Sequence, residues 1–261
     1  MRRYGQALAV ALLTALAASA QQTAPPTPPP AAAPAPAKLD EYLRRWEQEM
    51  AKVETLAAQL NRTDKDKTFD RTVKLTGYAQ YLRAGKGPTA LNLAMLEMRP
   101  EGKNEIAEKV ICTGTFLYQF KPAEKVIQAV ELPRPKPGVV ADDNMLSFLL
   151  GMKAEDAKRR YDLKLAKEDQ FYIYVDVAPR DPKDKVEFQR ARIVLNKDSF
   201  LPRQLWFENP NNSEVTWDIP RVQTGVPLKR EAFDAPQAPP GWKLVPVARQ
   251  DVPPRVARPN N

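Results

Sequence analysis

Histidine is absent from this 261-residue chain, and cysteine occurs once, at Cys112. The first absence removes the usual general base near neutral pH, the Ser-His-Asp and Cys-His arrangements, and the commonest transition-metal ligand. The second excludes an intramolecular disulfide, so stability has to come from a buried core alone. Beyond residue 20 serine occurs only at Ser147, Ser199 and Ser213, none of them in a nucleophile elbow. No glycine-rich phosphate loop of either common spacing is present. The chain is therefore read as a non-enzyme without a cofactor. Cys112, within the apolar run Val110-Ile111-Cys112, reads as a buried structural thiol.

Charge of one sign is lacking too. The formal net charge is +8, and acids alternate with bases, as in Asp64-Lys65-Asp66-Lys67 and Asp181-Pro182-Lys183-Asp184-Lys185. Such runs describe a solvated surface and speak against a nucleic-acid partner. Asp142 and Asp143 read as caps of a following helix, because no complete set of oxygen ligands for calcium surrounds them.

Long hydrophobic runs are confined to the start. Arg2 and Arg3, an apolar stretch from Ala7 to Ala18 and the small-x-small site Ala18-Ser19-Ala20 make a signal peptide, residues 1–20, cleaved before Gln21. The stretch is too short to span a bilayer comfortably, although an uncleaved anchor is the alternative. Gln21 is not the cysteine of a lipid-anchored product, so the protein is expected to be periplasmic or secreted. Residues 21–37 form an uncharged Pro/Ala/Thr spacer. Residues 38–236 are expected to hold one domain, and 237–261 a Pro-rich basic tail with Lys243, Arg249, Arg255 and Arg258.

Within the domain, Leu39, Leu43, Trp46, Met50, Val53, Ala57 and Leu60 alternate spacings of four and three, which predicts a long amphipathic helix. The period then falls toward two. Strands are expected at 68–83, 90–99, 105–113, 116–120 and 126–132, and again at 161–166, 171–178, 186–196, 201–208 and 213–222. Between the two sets lie the short apolar helix Met145–Gly151 and a helical stretch at 153–160. Short connections make each set an antiparallel meander. The fold class is mainly β: an unclosed antiparallel barrel, or curved half-barrel, with the long helix and short lid helices in its concave face.

The phrase Val110-Ile111-Cys112-Thr113-Gly114-Thr115-Phe116-Leu117-Tyr118-Gln119-Phe120-Lys121-Pro122 looks like a hairpin of the LolA family of periplasmic lipoprotein carriers, with Thr113 at a usually acidic position. The strand Lys125–Val130, the Met145–Gly151 helix and the final hairpin from Leu201 through Ile219 to Phe233-Asp234-Ala235-Pro236 follow in the family's order. The chain thus resembles LolA and its relatives, LolB-like folds included. Its Pro-rich flanks look more like those of LolA-type paralogues from planctomycete-like bacteria, whose function is largely unassigned. In the family's carriers an arginine in a Lys-Arg-Pro phrase contacts the lid. Here the phrase reads Leu82-Arg83-Ala84-Gly85-Lys86-Gly87-Pro88, and Arg83 is the nearest match.

The resemblance implies a groove for acyl chains or a lipoprotein, held by burial and not by catalysis. Trp46 and Met50 on the long helix and Met145, Phe148 and Leu149 on the short one are candidate lid contacts; Leu93, Met95 and Met98 are candidate wall residues, methionine adapting readily to irregular ligands. Each could instead simply pack the core. A second reading is an envelope adaptor that meets a protein or an anionic surface through its basic tail. A monomer is expected in either case.

Overall fold

The computed structural model describes residues 35–87, 90–132, 153–182, 184–186 and 188–247. Helix α1 (Ala35–Ala51) leads into six strands: β1 (Thr55–Asp66), β2 (Arg71–Ala84), β3 (Leu91–Pro100), β4 (Glu108–Cys112), β5 (Phe116–Lys121) and β6 (Val126–Glu131). A short helix, α2 (Ala154–Arg160), precedes β7 (Tyr161–Glu168), β8 (Tyr172–Pro179), β9 (Arg190–Asn196), β10 (Pro202–Glu208) and β11 (Ser213–Thr224), and β12 (Lys243–Val247) ends the order. The twelve strands among the described residues form one unclosed sheet, ordered β12-β6-β5-β4-β3-β2-β1-β11-β10-β9-β8-β7. Two antiparallel meanders are joined where β1 pairs with β11, while β12 runs parallel to β6. The expected class, mainly β with an open sheet and a long N-terminal helix, is what the chain adopts.

The helix is shorter than its apolar spacing predicts. Leu39, Leu43, Trp46 and Met50 lie on its buried stripe, but the chain turns after Ala51, where the N–H groups of Lys52 and Val53 bond back to Glu49 and Met50. Ala57 and Leu60 belong to β1, which pairs along both edges, with β2 and β11. The unbroken ladder with β2 and the ladder with β11, interrupted only at Leu60, outweigh helical propensity there. α1 starts at Ala35, ahead of the expected boundary at Lys38, and β12 lies past the one at Pro236.

Side-chain alternation divides the core between the two faces of the sheet. On the inner face, α1 packs its stripe into one cluster with Ile173, Val175, Ile193, Leu195, Leu205 and Phe207 from β8–β10. On the outer face, Leu93, Met95, Ile111, Tyr118, Ile127 and Ala129 form a second cluster, closed by Phe233 from the short turn Arg230–Phe233 that follows β11. Phe233 is buried to 1% exposure, and a phenylalanine so placed contributes about 1.5–3 kcal/mol.

A polar clasp fixes the start of α1 to the end of β7. Lys38 Nζ lies 2.6 Å from Glu168 Oε1, and the Tyr42 hydroxyl donates to the other carboxylate oxygen. These two hydrogen bonds hold the Glu168 carboxyl below its ordinary pKa. A carboxylate lowered in the folded state stabilises above its unfolded pKa, and that contribution is lost as pH falls through the folded value. Glu168→Gln is therefore expected to remove stability at neutral pH and to flatten the acid limb of a thermal-melting profile below about pH 4.5. Parallel acid limbs for the two proteins would dismiss the clasp.

Candidate functional site

Register defines the inner face of the β1–β5 half row by row. One row reads Val222, Ala58, Ala79, Leu96, Val110, Gln119, and the next reads Leu56, Tyr81, Ala94, Cys112, Leu117. Where β8–β10 place isoleucine, leucine and phenylalanine, these rows place Ala58, Ala79, Ala94 and Cys112. The small side chains leave a hollow. A cavity of about 330 Å³ occupies it, lined among the described residues by both rows together with Leu60, Glu108, Pro202, Trp217 and Ile219. That volume sits at the small end of the roughly 300–1,000 Å³ range of small-molecule sites.

Polar residues from two adjacent rows lie beyond the apolar ones. Arg62 on β1 faces Trp217 on β11, and Glu108 opens β4 opposite Met98. Arg62 donates from Nε and Nη2 to the two oxygens of Asp64, each at 2.7 Å, and from Nη1 to Glu108 Oε2 at 2.7 Å. Its guanidinium lies 5.0 Å from the centre of the Trp217 ring, a cation–π distance. Burial opposes the Arg62 charge, but hydrogen bonds and charges from Asp64 and Glu108 outweigh it and raise the pKa. The Trp217 indole N–H, buried in the cavity wall, has no hydrogen-bond partner among the described residues; nor has that of Trp46. Burial pushes the Cys112 thiol up, so at neutral pH it stays protonated and behaves as a small apolar wall residue.

The residues singled out in the sequence are dispersed. Trp46 and Met50 are buried under α1 in the main cluster. Met98 is wholly buried on the inner face opposite Gly77. Leu93 turns to the outer face; Met95 borders the cavity on β3 but packs in the outer cluster with Phe233. Strand alternation explains both: Ala94 and Leu96 take the inner positions, so their neighbours point away. Arg83 donates from Nη1 to the Ala51 carbonyl at 2.8 Å, capping the last turn of α1. Met145, Phe148 and Leu149, like Asp142 and Asp143, the signal peptide and the tail beyond Val247, lie outside the described residues. What sequence reading missed is the set of alanines and Trp217. The available signal was alanine alternating where neighbouring strands carry branched residues.

The fold is thus an open, mainly antiparallel sheet with a helix packed on one face and an apolar hollow beside it. No family model matches the sequence, and no curated protein matches it either. Solved structures do. An uncharacterised conserved protein from Thermus thermophilus aligns at 11% identity and a TM-score of 0.48, over 80% of this chain and 99% of that one. A DUF1329 family protein from Desulfovibrio piger aligns at 13% and 0.45, over 77% and 98%. A LolA superfamily protein from Nitrosomonas europaea aligns at 11% and 0.35, over 75% and 97%.

Proposed function

We propose that this protein binds a hydrophobic ligand in the inner-face cavity, without catalysis, as a LolA-like carrier of the cell envelope. The observation that supports the reading most is the hollow itself: an apolar cavity floored by Ala58, Ala79, Ala94 and Cys112 within a sheet whose other half is filled. A sheet under no demand to bind packs such positions to crystal-like density. Each methylene of an acyl chain placed there contributes about 0.8 kcal/mol, so a chain of roughly ten carbons offsets much of the cost of immobilising the ligand. The envelope location rests on the signal-peptide pattern of residues 1–20.

Cys112 reports on the site because it is the chain's one thiol and lines the cavity. The purified protein is expected to take up the uncharged dye Nile red saturably, and bound dye is expected to slow the labelling of Cys112 by a maleimide. Absence of saturable uptake by a well-folded sample, or uptake that leaves Cys112 equally reactive, would overturn the proposal.

A further inference from the structure

The cavity is one compartment of two. At the end of the sheet where β4 begins and β5 ends, a polar cleft of about 800 Å³ carries Arg62, Glu105, Lys109, Lys121 and Glu124. Cavity and cleft share Glu108, Val110 and Gln119. An apolar chamber therefore meets a charged one, with Trp217 and Arg62 at the junction. A ligand that fills the cavity and reaches the shared wall sets its head group beside Glu108 and Gln119.

The charge of that head group is decided by how Arg62 is engaged. Two carboxylates, Asp64 and Glu108, already occupy its Nε, Nη1 and Nη2 donors. The junction thus holds one positive and two negative charges. Further out, Lys109 is paired with Glu97 on the other face of the sheet at 3.1 Å and Glu105 with Lys103 at 3.8 Å, while Lys121 and Glu124 both line the cleft wall. A carboxylate or phosphate entering the junction would be repelled by the pair that holds the guanidinium. An uncharged hydroxyl or amide meets no such repulsion: its O–H or N–H donates to Glu108 or Gln119, which both compartments share.

We propose that the ligand is a single-chain amphiphile with an uncharged, hydrogen-bonding head, its tail in the cavity and its head at the Arg62–Glu108 junction, and that Glu108 and Asp64 exclude anionic heads. This rests on the cavity being the binding site. Monolauroylglycerol and laurate carry the same tail and differ in head charge, so they separate the two questions. At pH 8 and below micellar concentrations, monolauroylglycerol is expected to displace Nile red at a concentration at least tenfold lower than laurate. Glu108→Gln and Asp64→Asn, each of which keeps a hydrogen-bonding group opposite Arg62, are expected to bring that ratio to threefold or less by improving laurate. Near-UV circular dichroism establishes that each variant is folded, and either variant suffices. Equal displacement by the two lipids, or a ratio unchanged in both variants, overturns the head-group inference alone. Failure of the natural protein to take up Nile red overturns the cavity reading and this one with it.

Discussion

With Ala58 and Ala79 both changed to leucine, the chain is expected to fold at least as well as the natural protein and to lose its ligand. The two residues are direct partners across β1 and β2, in the middle of the cavity floor. Leucines there project into existing space, so each added carbon gains burial of about 0.8 kcal/mol without displacing a neighbour. The same volume is taken from the ligand. Excluding even two methylenes of an acyl tail removes about 1.6 kcal/mol, a more than tenfold loss of affinity. Thermal melting and Nile red titration read the two effects independently. A double variant that binds as before would place the ligand elsewhere; one that melts well below the natural protein would show the hollow to be too shallow for leucine.

The opposite pattern is expected at Gly77. A Cβ built there would stand 2.0 Å from the Glu97 carbonyl oxygen and 2.7 Å from Met98 Sδ. Gly77 is opposite Met98 in the β2–β3 ladder, and Met98 is wholly buried. The glycine is needed for this close approach, since the obstacle is largely backbone and cannot rotate away. Gly77→Ala should force β2 and β3 apart and cost about 3–5 kcal/mol, a large part of the 5–15 kcal/mol that holds a typical domain together. A urea midpoint within experimental error of the natural protein would refute the close-packing argument. Ligand binding by whatever fraction of the variant remains folded should persist, because Gly77 does not line the cavity.

Most elements were legible because their signals are local. Phe171, Ile173, Val175 and Val177 alternate with Tyr172, Tyr174 and Asp176, and β8 follows with Ile173, Val175 and Val177 inward, while Phe171 precedes the strand and is exposed. Between β10 and β11, Asn212 takes φ 63° and the Ser213 N–H donates to the Asn211 side chain, a turn built from residues that favour one. The end of α1 was not legible. The apolar spacing of Val53, Ala57 and Leu60 continues the helical period, and only pairing with strands distant in sequence, β11 above all, makes those residues extended. β12 escaped notice for a related reason. Its five residues are all exposed, it contains Pro246, and its partner β6 lies more than a hundred residues earlier.

The site shows the same division. Reading for large flexible side chains selected Leu93, Met95 and Met98; Leu93 and Met98 are packed in the clusters, and Met95 both packs in the outer cluster and borders the cavity. The hollow was marked by residues that are small, and a small residue has no chemistry of its own to draw attention.

By itself the sequence determined a helix followed by two meanders and a core without intramolecular disulfides. These follow from periodicity and composition, which each residue expresses with its near neighbours. Only the tertiary structure decided which face of each strand is the inner one, where α1 stops, and that Arg62, Glu108 and Trp217 meet at the end of an apolar cavity. Those depend on the pairing of β1 with both β2 and β11, a register set by contacts across the whole chain, and a shift of one residue would turn every wall residue to the other face.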